Sequence, residues 1–287
     1  MSTGVSNLGV CFFAGRMLYS VAEKGEKNSV QRIGSYEFSF DIMDALLDPI
    51  SEAGTQLKAV FKDLEQEFSL ESIRILSYPT HECWTALPKV VFDDSEEREQ
   101  HIAILMKGVP REDIEVTWHA VSKTQFKFLC LRRAHLMNNY RNFSDQVAIN
   151  ECCSDFEIGG IWSTHHRPGG SFLLIGCHKN VVTISSFLLG SFRAATYISY
   201  DDPEDIPYLW LQHAEHSSWL RGLHEHVYYF GEDCHEIALK LRSFIDHSSS
   251  QVLLNSLESM GVDAEEETYG FDLASAFPAI MMSLDIK

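Results

Sequence analysis

Three apolar runs laid end to end, Phe172–Cys177, Val181–Leu188 and Phe192–Ser199, limit what this chain can fold into more than any other feature. Each is short for a helix and rich in Ile, Val, Phe, Leu and Thr, whose side chains fit a pleated surface. The breaks are tight. His178-Lys179-Asn180 and Gly190-Ser191 turn a chain straight back on itself. The stretch Ser171–Ser199 therefore predicts a three-stranded antiparallel meander. The pattern recurs near the start, where Leu8–Phe13, Met17–Ala22 and Val30–Phe40 are separated by Ala14-Gly15-Arg16 and by the charged turn Glu23–Asn28.

The segments after each meander also repeat. After the first, Asp41 caps a helical region with apolar residues at Ile42, Leu46, Leu57, Phe61 and Leu64, which Pro49 and Gly54 split or kink. Ser72–Ser77 reads as the next strand. After the second come a helix over Ile206–Trp219 with Pro207 in its first turn, a strand over Val227–Phe230 and a helix over Glu232–Ile245. Meander, helix, strand, twice over, predicts a duplicated unit and two lobes with a cleft between them. At 287 residues the chain is also long for one simple core.

The connecting segments fill in the rest. Ala86–Phe92, Ile102–Met106, Ile114–Val121 and Phe126–Leu131 read as strands, and Asp93–Gln100 as a solvated acidic turn. Arg132–Asn142 and Asp155–Ser163 read as helices. The polar stretch Thr164–Gly170 is the expected hinge, placing the lobes at 1–166 and 167–287. Gln251–Ser259 is expected to be helical, Asp263–Thr268 an acidic loop, and Phe277–Leu284 a terminal apolar helix with Pro278 in its first turn.

Charge and cysteines narrow the function classes. With 41 acidic against 23 basic residues, the formal charge of -18 repels phosphate backbones, so nucleic acid is not an expected partner. Cys11, Cys83, Cys130, Cys152, Cys153, Cys177 and Cys234 form no CxxC pair and sit mostly in apolar runs, the pattern of reduced core thiols in a cytoplasmic protein. The start lacks a signal-peptide pattern, and no apolar stretch is long enough to span a bilayer, so direct membrane insertion is not expected. There is no GxSxG, GxxxxGK[ST] or GxGxxG. The histidines of His213–His216 and the nearby His224, His226 and His235 lack zinc-site spacing and read as exposed polar residues. Asp201, Asp202 and Asp205 read as a turn and helix cap, Gly159-Gly160 and Gly169-Gly170 as turn or helix-end backbone.

Taken in order, several stretches resemble the actin-like superfamily, which includes Hsp70 and the sugar kinases, and within it PilM-like pilus-assembly proteins and a Bacteroidota actin-like family. LGVCFFAGRMLYSV (Leu8–Val21) sits where that group has its first strand, phosphate turn and second strand, and FLLIG (Phe172–Gly176) sits at the second-lobe equivalent. GSFRAATYI (Gly190–Ile198), FPAIMMSLD (Phe277–Asp285) and TALPKVVFDD (Thr85–Asp94) add to it. The resemblance implies a mixed α/β, ribonuclease-H-like fold in two lobes, with the terminal helix returning to the first. ATP-hydrolysing members carry an aspartate at the end of the first strand of each lobe. Cys11 and Leu174 align there, and Ser199-Tyr200 replaces a glycine pair on the adenosine side. Neither Cys11 nor Leu174 is a ligand for a hard cation.

The expectation is therefore a catalytically degenerate scaffold with no catalytic residue, metal or required cofactor. It would hold a protein partner, a basic peptide or the cytoplasmic tail of a membrane protein, in pilus or secretion assembly. ATP contact without magnesium-dependent turnover stays open through the cleft turns, at Gly15, Arg16, His178, Lys179 and Asn180. The competing expectation is an ATPase or kinase of the same fold that uses other residues.

Overall fold

A computed structural model describes residues 5–25, 28–120, 125–144, 146–166, 168–264 and 270–284. The chain opens with a hairpin, β1 (Ser6–Phe13) and β2 (Arg16–Glu23). A two-residue strand, β3 (Ser29–Val30), leads into β4 (Arg32–Glu37). Helices α1 (Ile42–Leu47) and α2 (Glu52–Glu67) carry it to β5 (Leu70–Leu76). An insertion comes next: β6 (Glu82–Pro88), α3 (Lys89–Asp93), α4 (Ser95–Leu105), β7 (Ile114–Ala120) and β8 (Phe126–Arg133). Then come α5 (Ala134–Arg141), β9 (Ile149–Cys153) and α6 (Asp155–His166). The second half holds β10 (Ser171–His178), β11 (Val181–Leu188), β12 (Ser191–Ser199), α7 (Ile206–His216) and β13 (His226–Gly231). It continues through α8 (Cys234–Leu241), β14 (Ser250–Leu253), α9 (Leu257–Met260), β15 (Asp263–Ala264) and α10 (Leu273–Ser283).

Two five-stranded sheets share one strand order, β4-β2-β1-β5-β9 and β12-β11-β10-β13-β14. In each, only the second strand of the chain order, β2 or β11, runs against the others. Both sheets are covered on both faces, which is why β1 and β10 read as unbroken apolar runs. Leu8, Val10 and Phe12 face α1, α2 and α5, while Cys11 and Phe13 face the middle of the molecule. Leu173, Ile175 and Cys177 likewise face α7 and α8, while Phe172 and Leu174 face inward.

The central layer between the sheets is built from α6 and α10. Helix α6 leaves the first sheet and packs on β11 and β12, while α10 leaves the second half and packs on β1, β2 and β5. Every residue of α10 is buried, as expected for a helix apolar on all sides. Close approach is arranged differently on the two sides. Gly9 of β1 lets α10 in, since a Cβ there would collide with the Ala279 carbonyl. On the other side the glycine belongs to the helix, for a Cβ on Gly159 would run into the Phe187 ring. Gly159-Gly160 is thus interior helix, not a turn or helix end.

Several local expectations need correction. Asp93–Gln100 and Ile102–Met106 are not turn and strand but mostly one helix, α4. Asp94 Oδ1 accepts from the Glu96 and Glu97 amides at 2.9 and 3.1 Å, and the acidic run is a helix start. The strand expected over Ala86–Phe92 ends at Pro88 and gives way to α3. Gln251–Ser259 splits into β14 and α9, with Ser256 and Ser259 closing a capping box. Of the stretch expected as a hinge, Thr164, His165 and His166 still belong to α6. Helix α10 starts at Leu273 under an Asp272 cap, which puts Pro278 inside it. The Val30–Phe40 run divides into β3 and β4, and Asp263–Ala264 pairs with β3, residues 265–268 lying outside the described ones. Among the described residues no helix is long and apolar enough to cross a membrane.

All seven cysteines are free thiols, and only Cys83 escapes full burial. Burial pushes every one of these thiols up, Cys152 and Cys234 to about 11. A thiol reagent at neutral pH is expected to label native protein rapidly at Cys83 at most, and all seven sites after denaturation. Fast native labelling of Cys11, Cys130 or Cys177 would contradict this packing.

Candidate functional site

The turns ending the β1–β2 and β10–β11 hairpins meet between the lobes, where Phe13 stacks on His178 with ring centroids 5.5 Å apart. The first turn is pinned from behind. The Ala14 and Gly15 carbonyls accept from the Ile42 and Phe38 amides, both at 2.7 Å, and Ala14 adopts a positive φ of 40°. Arg16 reaches across to the second half, its Nη2 2.9 Å from Asp272 Oδ2 and 3.6 Å from Glu232 Oε1. Burial pushes the Glu232 carboxyl up, against the pull of Arg16. Lys179 and Asn180 form the exposed second turn, where Asn180 Oδ1 accepts from the Tyr78 hydroxyl at 3.3 Å.

His178 is not a turn residue. It closes β10, is buried, and its Nε2 lies 2.7 Å from Asp155 Oδ2. The same carboxylate oxygen accepts from Thr183 Oγ1 at 2.5 Å. The Tyr200 hydroxyl donates to the His178 carbonyl at 2.7 Å. Asp155, first residue of α6, thereby ties the crossing helix to the second hairpin.

Register corrects the alignment of strand ends. Phe13 pairs with Arg16 and His178 with Val181, so counting back from the hairpins matches Cys11 to Gly176, and Gly9 to Leu174. The second-lobe counterpart of Cys11 is therefore Gly176, not Leu174. Cys11 Sγ–H donates to the Ser275 carbonyl at 3.5 Å. Gly176 has no side chain, and the space its Cβ would take is filled by Asp155 Oδ2 at 2.5 Å, Thr183 Oγ1 at 2.5 Å and Phe230 Cζ at 2.6 Å. A carboxylate does stand at this strand end, but α6 delivers it and two donors engage it. Among the described residues no three His, Cys, Asp or Glu side chains converge as a metal site. The Asp202 carboxylate caps a turn, accepting from the Glu204 amide at 2.9 Å.

A second concavity, which the sequence does not announce, lies where the inserted sheet faces the second lobe. This groove of about 500 Å³ runs between Trp84 and His119 of the insertion, α6, and the Phe187–Phe192 end of β11 and β12. Trp84 is its hub, with ring centroids 5.5 Å from His119, 5.2 Å from Phe156 and 6.1 Å from Phe192. Its polar groups are paired: His119 Nε2 lies 2.6 Å from Glu157 Oε1, and Arg74 Nε 3.6 Å from Glu151 Oε2. Burial alone would push Glu157 up. The His119 hydrogen bond and charge, Arg132 and the Ser154 amide outweigh it and hold the carboxyl below its ordinary range. The raw signal is the aromatics of β6, β7 and β12, but they are scattered over distant segments and only the fold gathers them.

No protein-family model matches the chain, and no curated protein does. Solved structures do. The chain is similar to a type IV pilus biogenesis PilM–PilN complex, with a TM-score of 0.63 and 11% identity over 98% of this chain and 97% of the other. It is also similar to a Bacteroides thetaiotaomicron protein of actin-like ATPase fold and unknown function, at TM-score 0.55 and 16% identity over 88% and 92%. An inorganic polyphosphate/ATP-glucomannokinase from Arthrobacter sp. strain KM is similar at TM-score 0.50 and 9% identity over 98% and 99%. The chain thus has the mixed α/β, two-lobe actin-like fold.

Proposed function

We propose that this chain is a catalytically degenerate actin-like protein that holds another protein in the cytoplasm, in the assembly of a pilus or secretion system. Its lobes on this reading are a duplicated pair, 1–166 and 167–287. The observation that carries it is the aromatic groove centred on Trp84. Apolar walls and a carboxylate, Glu151, whose side chain is 55% exposed, suit an extended basic segment, such as the cytoplasmic tail of a membrane protein. The similar PilM–PilN structure is itself a protein–protein complex, which supports the kind of partner.

The interlobe turns support binding without turnover. Arg16 is engaged by two carboxylates and His178 is buried, which leaves Gly15, Lys179 and Asn180 to meet a phosphate. Cys11 and Gly176 supply no carboxylate for a hard cation, so these residues do not fit magnesium as the fold's hydrolysing members hold it. One observation favours the competing reading, an ATPase or kinase, namely the Asp155 carboxylate at the Gly176 strand end.

Two measurements separate the readings. Phosphate release from ATP by the pure protein is expected to stay at background with and without magnesium. A decapeptide of alternating lysine and isoleucine is expected to quench tryptophan emission on binding. Glu151→Gln should weaken that binding at least about tenfold, as loss of a charged hydrogen bond does. Magnesium-dependent turnover, or peptide binding indifferent to Glu151→Gln and to Phe192→Glu, would reverse the assignment.

A further inference from the structure

The outer end of the second lobe carries a second groove of about 410 Å³, between α8 and β14. It lies on a different face of the lobe from the Trp84 groove and stands independently of the proposed function. Its helix wall comes from His235, Ala238, Leu239 and Arg242. These fall at i, i+3, i+4 and i+7, a single stripe of the helix. The stripe is open to solvent, with Leu239 55% exposed.

The facing wall is a sheet edge. Among the described residues β14 is the last strand of its sheet and pairs only with β13. The Ser250 amide donates to the Glu225 carbonyl at 2.9 Å and the Leu254 amide to the Tyr229 carbonyl at 2.8 Å. Even-numbered residues of β14 therefore face β13, and Gln251 and Leu253 turn their N–H and C=O groups outward. The strand, Ser250–Leu253, contains no lysine, proline or other residue that blunts an edge.

Charge selects the occupant. In a chain of formal charge -18, this groove is lined by Arg242, His235 and His247 and, among the described residues, by no carboxylate. The two acids adjoining lining residues are engaged elsewhere, Asp246 accepting from the Ser248 amide at 2.8 Å and Glu236 Oε1 lying 3.4 Å from Lys240 Nζ. The Arg242 guanidinium has no hydrogen-bond or ion-pair partner among the described residues. We propose that β14 and α8 form a docking groove for an extended acidic protein segment, which adds as a strand to the β14 edge and lays alternate side chains against α8. Main-chain bonds to Gln251 and Leu253 supply the pairing. An apolar side chain meets Ala238 and Leu239, and a carboxylate two residues away, on the same face of the strand, meets Arg242. The stripe from residue 235 to 242 is about 10 Å long at 1.5 Å per helical residue, the length of about three extended residues.

The test uses the full chain and a fluorescein-labelled decapeptide of repeating Val-Ser-Glu-Ser, which sets valine and glutamate on one face of a strand, followed by anisotropy. Binding is expected, with the same decapeptide carrying lysine for glutamate at least tenfold weaker. Arg242→Glu should weaken the glutamate peptide at least tenfold. Gln251→Pro, which deletes an outward N–H and no ladder bond, should do the same with an unchanged melting transition. Amide exchange of wild-type Gln251 and Leu253 should slow when the peptide saturates, a readout that needs no variant to fold. Equal binding of both peptides, indifference to Arg242→Glu, or unprotected Gln251 and Leu253 amides would overturn the proposal. So would self-association abolished by Gln251→Pro, which would seat a second copy on the edge.

Discussion

Glu82→Ala is expected to lower stability by about 3–5 kcal/mol, the cost of stranding a buried charge. The Glu82 and Arg132 side chains are only 1% and 4% exposed. Glu82 Oε1 accepts from Arg132 Nε at 2.8 Å and from Ser77 Oγ, and Arg132 Nη2 lies 2.7 Å from it as an ion pair. Its Oε2 accepts from Trp84 Nε1 at 2.9 Å and Ser154 Oγ at 2.5 Å. Ser77 comes directly after β5, Ser154 directly after β9, and Trp84 and Arg132 lie on the inserted sheet. One carboxylate thus joins the insertion to two strand ends of the first sheet. Removing it leaves a guanidinium and three other donors in a dry interior, where each unpaired group is costly. The surface pair of Glu99 with Arg111 Nε, at 2.5 Å, is the control. Its partners are 43% and 53% exposed, and Glu99→Ala should cost no more than about 1 kcal/mol. Equilibrium urea unfolding reads both. A Glu82→Ala loss as small as that of Glu99→Ala would mean that the carboxylate is not the joint. If it is, Trp84 should also lose its orientation, and peptide binding at the Trp84 groove should fall with stability.

The sheets were legible in the sequence because both meanders are short-range and their first two strands are buried on both faces. Phe172–Cys177 and Leu8–Phe13 announce buried strands whatever surrounds them. In the insertion, β7 and β8 were legible as Ile114–Val121 and Phe126–Leu131, but α4 was not. Asp93–Gln100 reads as a solvated turn by composition, and only the Asp94 cap geometry makes it the start of α4. β9 escaped notice because Ile149–Cys153 has polar Asn150 and Glu151 in the middle and borrows its place from β5. Site residues divided the same way. Lys179 and Asn180 form a turn that the pattern marks, and Arg16 opens β2 directly after the other. The burial of His178 depends on Asp155, 23 positions away, and no local spacing announces such a pair. The offset between Leu174 and Gly176 has a similar origin. Apolar alternation fixes which face a residue is on but not how far it lies from the hairpin, and Leu174 and Gly176 share a face.

Asp155→Ala and Gly176→Ala are expected to be strongly coupled. The first should cost about 2–5 kcal/mol, because His178 and Thr183 lose their buried acceptor. The second should cost about 1–3 kcal/mol as overpacking, since the new methyl would lie 2.5 Å from Asp155 Oδ2 and Thr183 Oγ1. Combined, they should cost less than the sum by at least about 1 kcal/mol, because the methyl then enters space the carboxylate has left. Additive costs would show that Asp155 does not occupy the volume of a β10 side chain. The cycle also bears on function. A carboxylate that fills a void and accepts from two donors has a structural duty, and its removal should leave phosphate release at the same background as the intact protein. Turnover in the intact protein that disappears with Asp155→Ala, while a Gly176→Ala variant of equal stability keeps it, would make that carboxylate a working group. The protein would then be an enzyme that moved its acid from the strand to the crossing helix.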